Sequence, residues 1–250
     1  PLQVVYIDDF GMAGTIPGED EDDTHFRALC KDTLFSNKRQ EAGGSYGLGK
    51  SVLWIFSSFS TVLFDSTLME TMGRTNPRLI GRTELGSHAI AGDDERAYQG
   101  PGWFGKARSH DRGERAESVW GKEAATVGDA LGFQPRADHQ SGTSICVVGF
   151  KDPTADEDLG AAELARATRS AVAEYFWPSM SLPKRALDAA TVAEGKLTRV
   201  KPHDADVAAF VDAWKTYLRG EARPGPPERP GDVTAIELPL TLPATRSGEP

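Results

Sequence analysis

The chain has 250 residues, 39% hydrophobic and 26% charged, a balance typical of globular proteins with room for one large or two small domains. No apolar run approaches the roughly 18 residues of a membrane span, and the opening PLQVVYIDDF lacks the basic start and cleavage site of a secretory signal. A formal charge of −9 argues against general polyanion binding.

In chain order, residues 2–8 (LQVVYID) form a short apolar run ending at Asp8 and Asp9, the pattern of a buried strand. A glycine-rich segment follows, and the acidic run 19–23 then leads into a predicted helix with Phe26, Leu29, Cys30, Thr33 and Leu34 at helical spacing. Those acids read as a solvated helix start rather than a cation site. The loop GGSYGLGKSVLW (43–54) opens SVLWIFSSFS, which predicts a buried helix. TVLFDS (61–66) and RLIGRTELG (78–86) read as strands, and the polar, Gly- and Arg-rich segment 91–118 as a long loop or insertion. GKEAATVGDALGF (121–133) predicts an amphipathic helix, and GTSICVVGF (142–150) a strand rich in β-branched residues.

A change of texture places a division near residue 152, giving units 1–152 and 153–250. Beyond it, residues 161–177 predict a helix with Leu164, Thr168, Ala171, Val172, Tyr175 and Phe176 on one face, stopped by Pro178. GKLTRVK (195–201) reads as a strand. Residues 205–218 read as a helix with a stripe of Val207, Phe210, Val211, Trp214 and Leu218. RPGPPERPGD (223–232) reads as a linker, and DVTAIELPLTL (232–242) as a final strand. Cys30 and Cys146, both in apolar surroundings, are expected as buried free thiols of a cytoplasmic chain.

Residues Gly44 to Ser51 satisfy G-x-x-x-x-G-K-[ST], the pattern of a P-loop. That motif needs a buried strand to deliver the chain to the loop, and a helix to begin under the phosphates. The residues before Gly43 are mostly polar and follow a predicted helix, so the delivering strand is missing. A strand-ending Asp is offered twice, by VVYIDD before the loop and by TVLFD after it. A P-loop NTPase or kinase using Gly44–Ser51 is kept as an alternative.

Three glycine-centred signatures occur in order: DFGMAG (9–14), GGSYGLGK (43–50) and SGTSICVVGF (141–150). Together they resemble the GHKL superfamily of gyrase, the ninety-kilodalton chaperone, histidine kinases and MutL. Those proteins carry D-x-G-x-G after a strand, a G-x-x-G-x-G ATP lid, and a Gly-Thr pair at a late strand. The lid followed by Lys-Ser and an apolar segment is most similar to MutL/MORC-type ATPases, whose bacterial relatives occur in restriction and phage-defence gene clusters. The resemblance covers roughly residues 3–150.

It implies an α+β fold: a Bergerat-type mixed β-sheet covered on one face by helices, then the start of an α/β transducer domain of the ribosomal-protein-S5 type. ATP with Mg²⁺ would be the ligand. Asp9 would accept a hydrogen bond from the adenine amine, and Gly11 and Gly14 would turn the backbone against base and sugar, with Ala13 standing where the family usually has Gly. Asp8 competes for the adenine contact, because adjacent strand residues point to opposite faces. Gly44, Gly47 and Gly49, with Tyr46 and Leu48 between them, would form the lid. Lys50 would approach the γ-phosphate, and the Thr143 hydroxyl would lie near the adenine.

In the family a catalytic Glu and a Mg²⁺-binding Asn lie on a helix before the D-x-G-x-G strand. No E-x-x-x-N pattern precedes Asp9, so no catalytic residue or metal ligand is assigned, and the chain is expected to be a piece of a longer ATPase. The implied function is an ATP-binding conformational switch. Lid closure would create a homodimerisation surface, with DNA-processing partners in repair, restriction or phage defence and no membrane role. A non-catalytic nucleotide-sensing or interaction module is the other alternative.

Overall fold

Residues 2–11, 26–31, 48–69, 75–89, 97–98, 100–111, 113–137, 139–182 and 186–239 are described by the computed structural model. They divide into two units, 1–158 and 159–250. In the first unit the N-terminal apolar run forms β1 (Val4–Asp8). A single π-helical turn covers Arg27–Lys31, and a 3-10 turn at Leu48–Lys50 leads into α1 (Ser51–Ile55). The long β2 (Ser57–Met69) and β3 (Thr75–Glu84) follow. Short strands β4 (His88–Ala89), β5 (Ala97–Tyr98), β6 (Pro101–Phe104), β7 (Lys106–His110), β8 (Gly113–Glu117) and β9 (Val119–Trp120) precede α2 (Gly121–Ala130) and β10 (Gly142–Phe150).

The main sheet runs β1-β10-β2-β3-β6, with β9 also paired to β3. Every one of these pairings is antiparallel, so the expected mixed sheet is corrected to an antiparallel one. Its middle strands are apolar on both faces, as Val62-Leu63-Phe64 and Leu79-Ile80 show, and such strands need cover on both sides. On one face Val62, Phe64 and Ile80 pack against Phe26, Cys30 and Trp54; this is termed the α1 face. On the other, Leu63, Leu79 and Cys146 pack against Ala124 and Val127 of α2 and Phe133 beyond it; this is the α2 face. Cover on one face only, the second expectation for the sheet, is therefore also corrected. Cys30 and Cys146 are buried free thiols.

Several local expectations shift for physical reasons. The run 2–8 is an edge strand rather than a buried one, with Ile7 48% exposed. The segment SVLWIFSSFS is divided, because the Ser57 and Ser58 hydroxyls bond the Val148 and Gly149 carbonyls of β10 and draw those residues into β2. The polar stretch 91–118 contains paired strands, including a β7–β8 hairpin in register from Lys106↔Glu117 to His110↔Gly113. Its described residues are mostly solvent-facing, so it lacks the apolar alternation that announces a strand.

In the second unit, α3 (Ala161–Met180) buries Ala165, Ala173 and Met180, whereas Tyr175 and Phe176 are exposed. The buried stripe is rotated from the expected one because small alanines, rather than the aromatics, make the close approach. Pro178 lies inside the last turn instead of stopping the helix before it. The hairpin of β11 (Ala190–Ala193) and β12 (Lys196–Arg199) precedes α4 (Ala208–Leu218), whose buried residue is Val211 while Phe210 faces solvent. The predicted final strand shrinks to β14 (Thr234–Ala235), paired in parallel with β13 (Arg223–Pro224). Beyond it Ile236 and Leu238 are exposed, with no apolar face to bury. No described helix is long and apolar enough to cross a membrane.

Phe64 is 2% exposed at the centre of the first core, whereas Phe210 is 65% exposed. Phe64→Ala is expected to lower the unfolding free energy by about 3–5 kcal/mol. Phe210→Ala should cost no more than about 0.5 kcal/mol, as for other surface changes. Paired denaturant titrations of the two variants check this ordering.

Candidate functional site

The β1–β10 ladder, in register Ile7↔Ile145 and Asp8↔Ser144, continues past the end of β1. Asp9 N–H donates to the Thr143 carbonyl at 3.0 Å, and Gly11 N–H donates to the Ser141 carbonyl at 2.8 Å. This register puts Asp9 beside Thr143, on the α1 face with Ile145. Asp8 pairs with Ser144, which pairs in turn with Asp65 on the α2 face. The two adjacent acids are thus separated by the sheet.

Asp9 Oδ1 is shut off from solvent and has no hydrogen-bond partner among the described residues. A buried acceptor left without a donor costs free energy, on the order of 1–3 kcal/mol. Thr143 Oγ1 lies 3.0 Å from Ser66 Oγ, and the Ser66 hydroxyl also reaches the Gly142 carbonyl at 3.3 Å. Ser66 therefore orients the Thr143 hydroxyl. It was not foreseen from sequence, where the only signal is a serine one residue beyond the apolar run TVLFD.

Two glycines of the motifs have backbone reasons. Gly11 has φ +88°, a left-handed conformation that favours glycine. Gly142 has φ +150°, and a Cβ there would stand 2.1 Å from the Asp9 carbonyl oxygen. The Gly-Thr pair is thus a contact point: Gly142 lets the Asp9 loop approach, and Thr143 stands beside it.

Gly14 of the first motif lies outside the described residues, as do Gly44, Tyr46 and Gly47 of the expected lid and any strand leading into Gly43. Leu48, Gly49 and Lys50 form the 3-10 turn before α1. The Lys50 ammonium donates to the Ala28 carbonyl, so it is tied to the turn 27–31. From β3, Arg82 donates to the Cys30 carbonyl at 3.2 Å and the Lys31 carbonyl at 2.6 Å. Asp65, the second strand-ending acid considered for a P-loop, sits within β2 and on the face away from α1. Among the described residues, no three His, Cys, Asp or Glu side chains are grouped to hold a metal ion. Mg²⁺ accordingly has no assigned ligand.

Arg136 was also not foreseen, being a lone arginine in a polar loop. Its Nη1 donates to the Asp9 carbonyl at 2.5 Å and its Nη2 to Ser144 Oγ at 2.9 Å, with the guanidinium 4.7 Å from the Phe10 ring centre. Burial pulls its pKa below the ordinary value, against the pull of Asp8, Asp9 and Asp65. Burial also pushes Asp65 up to about 6, with Arg136 opposing and Asp8 adding to the rise.

No family model matches the chain, no curated protein matches it, and no solved structure matches it.

Two outcomes are expected. Gly142→Ala should destabilise by about 2–4 kcal/mol, because it combines a strained φ with overpacking against the Asp9 carbonyl; equilibrium denaturation checks this. For Asp65 the folded-state pKa lies above the ordinary value of 3.8, so its ionised form opposes folding above about pH 6. That cost is relieved as pH falls toward 4. Relative to Asp65→Asn, the parent should gain on the order of 2 kcal/mol between pH 7.5 and pH 4.5. Denaturant titrations at the two pH values measure it.

Proposed function

We propose that the chain binds ATP, with Asp9 reading the adenine, and acts as a nucleotide-driven conformational switch of the GHKL type. The observation that carries this reading is the buried, unpartnered Oδ1 of Asp9, a residue whose backbone is paired with Thr143. A carboxylate acceptor in that position suits the exocyclic N–H₂ of adenine and repels a base with a carbonyl there. The Thr143 hydroxyl, oriented by Ser66, supplies a second polar group on the residue paired with Asp9.

The phosphate end of the site would be built by the glycine lid and Lys50. In the described state Lys50 holds the Ala28 carbonyl, so its approach to a γ-phosphate requires that bond to be exchanged for a stronger, charge-assisted one. This exchange would couple nucleotide binding to movement of the turn 27–31 and α1. A ligand shifts a two-state element only through such differential contacts. Lid closure then offers a surface for homodimerisation. ATP hydrolysis, Mg²⁺ binding, a transducer-type second domain and a role in DNA repair, restriction or phage defence complete the reading.

Calorimetric titration of Mg-ATP and of adenosine into the parent, Asp9→Asn and Lys50→Ala tests it. Asp9→Asn replaces the charged acceptor facing the adenine amine by a neutral amide and should weaken both ligands at least tenfold, since hydrogen bonds to charged groups contribute about 1.5–3 kcal/mol. Lys50→Ala should weaken ATP while leaving adenosine unchanged. Unaltered ATP binding by Asp9→Asn, with loss in Lys50→Ala, would instead favour the P-loop alternative.

A further inference from the structure

A second set of polar groups lies on the α2 face, away from Asp9. Between α2 and the sheet is a cavity of about 200 Å³, whose lining includes Asp65, Thr67, Gly128, Asp129, Phe133 and Arg136. Drug-sized ligands occupy pockets of roughly 300 Å³ and more, so this one suits a smaller molecule. The absence of a side chain at Gly128 helps to form it. A Cβ added there would lie 3.8 Å from Asp65 Oδ2, and anything longer would cover the carboxylate.

The cavity carries unused hydrogen-bonding capacity. Asp65 Oδ1 is shut off from solvent with no partner among the described residues, and so is Arg136 Nε. Arg136 makes no hydrogen bond to Asp65: its terminal nitrogens donate to the Asp9 carbonyl and the Ser144 hydroxyl. It is the one cation among the described lining residues, against the carboxylates of Asp65 and Asp129. Asp8, from the neighbouring β1, adds to the negative potential felt at Asp65. The local balance is therefore acidic, and Phe133 supplies an apolar wall.

An acidic cleft of this size, with an unserved carboxylate and an aromatic wall, complements a small flat cation with N–H donors. An amidinium or guanidinium group forms charge-assisted hydrogen bonds with a carboxylate oxygen, roughly twice as strong as neutral ones. We infer that this cavity is a binding site for a small organic cation of the amidine or guanidine type, held by Asp65 and packed against Phe133. The site is on the opposite face of the sheet from Asp9 and does not depend on the nucleotide reading.

The test is calorimetric titration of the full chain at pH 7.5 with benzamidine and with uncharged benzamide, repeated on Asp65→Asn. Expected are saturable one-to-one binding of benzamidine, at least tenfold tighter than benzamide, and at least tenfold weakening in Asp65→Asn. The comparison of the two ligands uses the parent protein alone, so it stands whether or not the variant folds. Absence of saturable benzamidine binding overturns the inference, as does equal affinity for benzamide or undiminished binding by a folded Asp65→Asn.

Discussion

The antiparallel pairing of β1 with β10 is the constraint on which the candidate site depends. Side chains alternate across a strand, so a slip of one residue would exchange Asp8 and Asp9 between the faces of the sheet. Asp9 would then stand over Asp65 and Arg136, and Asp8 would take its place beside Thr143. The register is fixed by the ladder from Val4↔Val148 to Asp8↔Ser144 and by the two backbone bonds that extend it to Thr143 and Ser141. Gly142 permits the extension, because its missing side chain is where the Asp9 carbonyl passes. Arg136 then fastens that carbonyl to Ser144 on the adjacent strand.

A different network holds the α1 face. Arg78 and Arg82 project from β3 on the same side as Ile80, and both are almost fully buried. Buried cations need compensating partners. The Arg78 guanidinium lies 3.1 Å from the Phe26 ring centre and 4.6 Å from that of Trp120, and its Nε donates to Ser118 Oγ at 2.8 Å. Arg82 sits between Trp54 and Trp103 and pairs with Glu84 at 2.6 Å. Because Arg82 and Lys50 both donate to carbonyls of the turn 27–31, that turn is tied at once to the sheet and to the start of α1. Rearrangement at Lys50 would therefore be felt by an element anchored in the core, which is a physical route from ligand to conformation.

The strands β1, β2, β3 and β10 and the helices α2, α3 and α4 are legible in the sequence because apolar period or β-branching marks each one. Ser57–Ser60 could not be assigned locally. Their strand conformation comes from contacts with Val148 and Gly149, about ninety residues away. The β7–β8 hairpin carries too few buried side chains to imprint a pattern. Of the site, Asp9, Gly11, Lys50 and Thr143 are visible as motif residues, and the register explains why Asp9 rather than Asp8 stands next to Thr143. Ser66, Asp65 and Arg136 are not visible as partners, since what makes each one matter is a neighbour on another strand. The helix α2 covers a face that the family resemblance would leave bare; the apolar doublets of β2 and β3 contain the hint, because a strand with one wet face has no reason to carry them.

The central claim is that the buried Asp9 carboxylate reads the amine of adenine. The most direct measurement varies the ligand and leaves the protein intact: the affinities of ATP and inosine triphosphate are compared under the same Mg²⁺ and salt conditions. The two nucleotides share sugar and phosphates and differ at ring positions 6 and 1, where inosine has a carbonyl and an N–H in place of the amine and the bare ring nitrogen. ATP should bind at least tenfold more tightly, because a carbonyl against an unpartnered carboxylate is repulsive and leaves both acceptors unsatisfied. Equal affinities, or tighter binding of inosine triphosphate, would contradict the account.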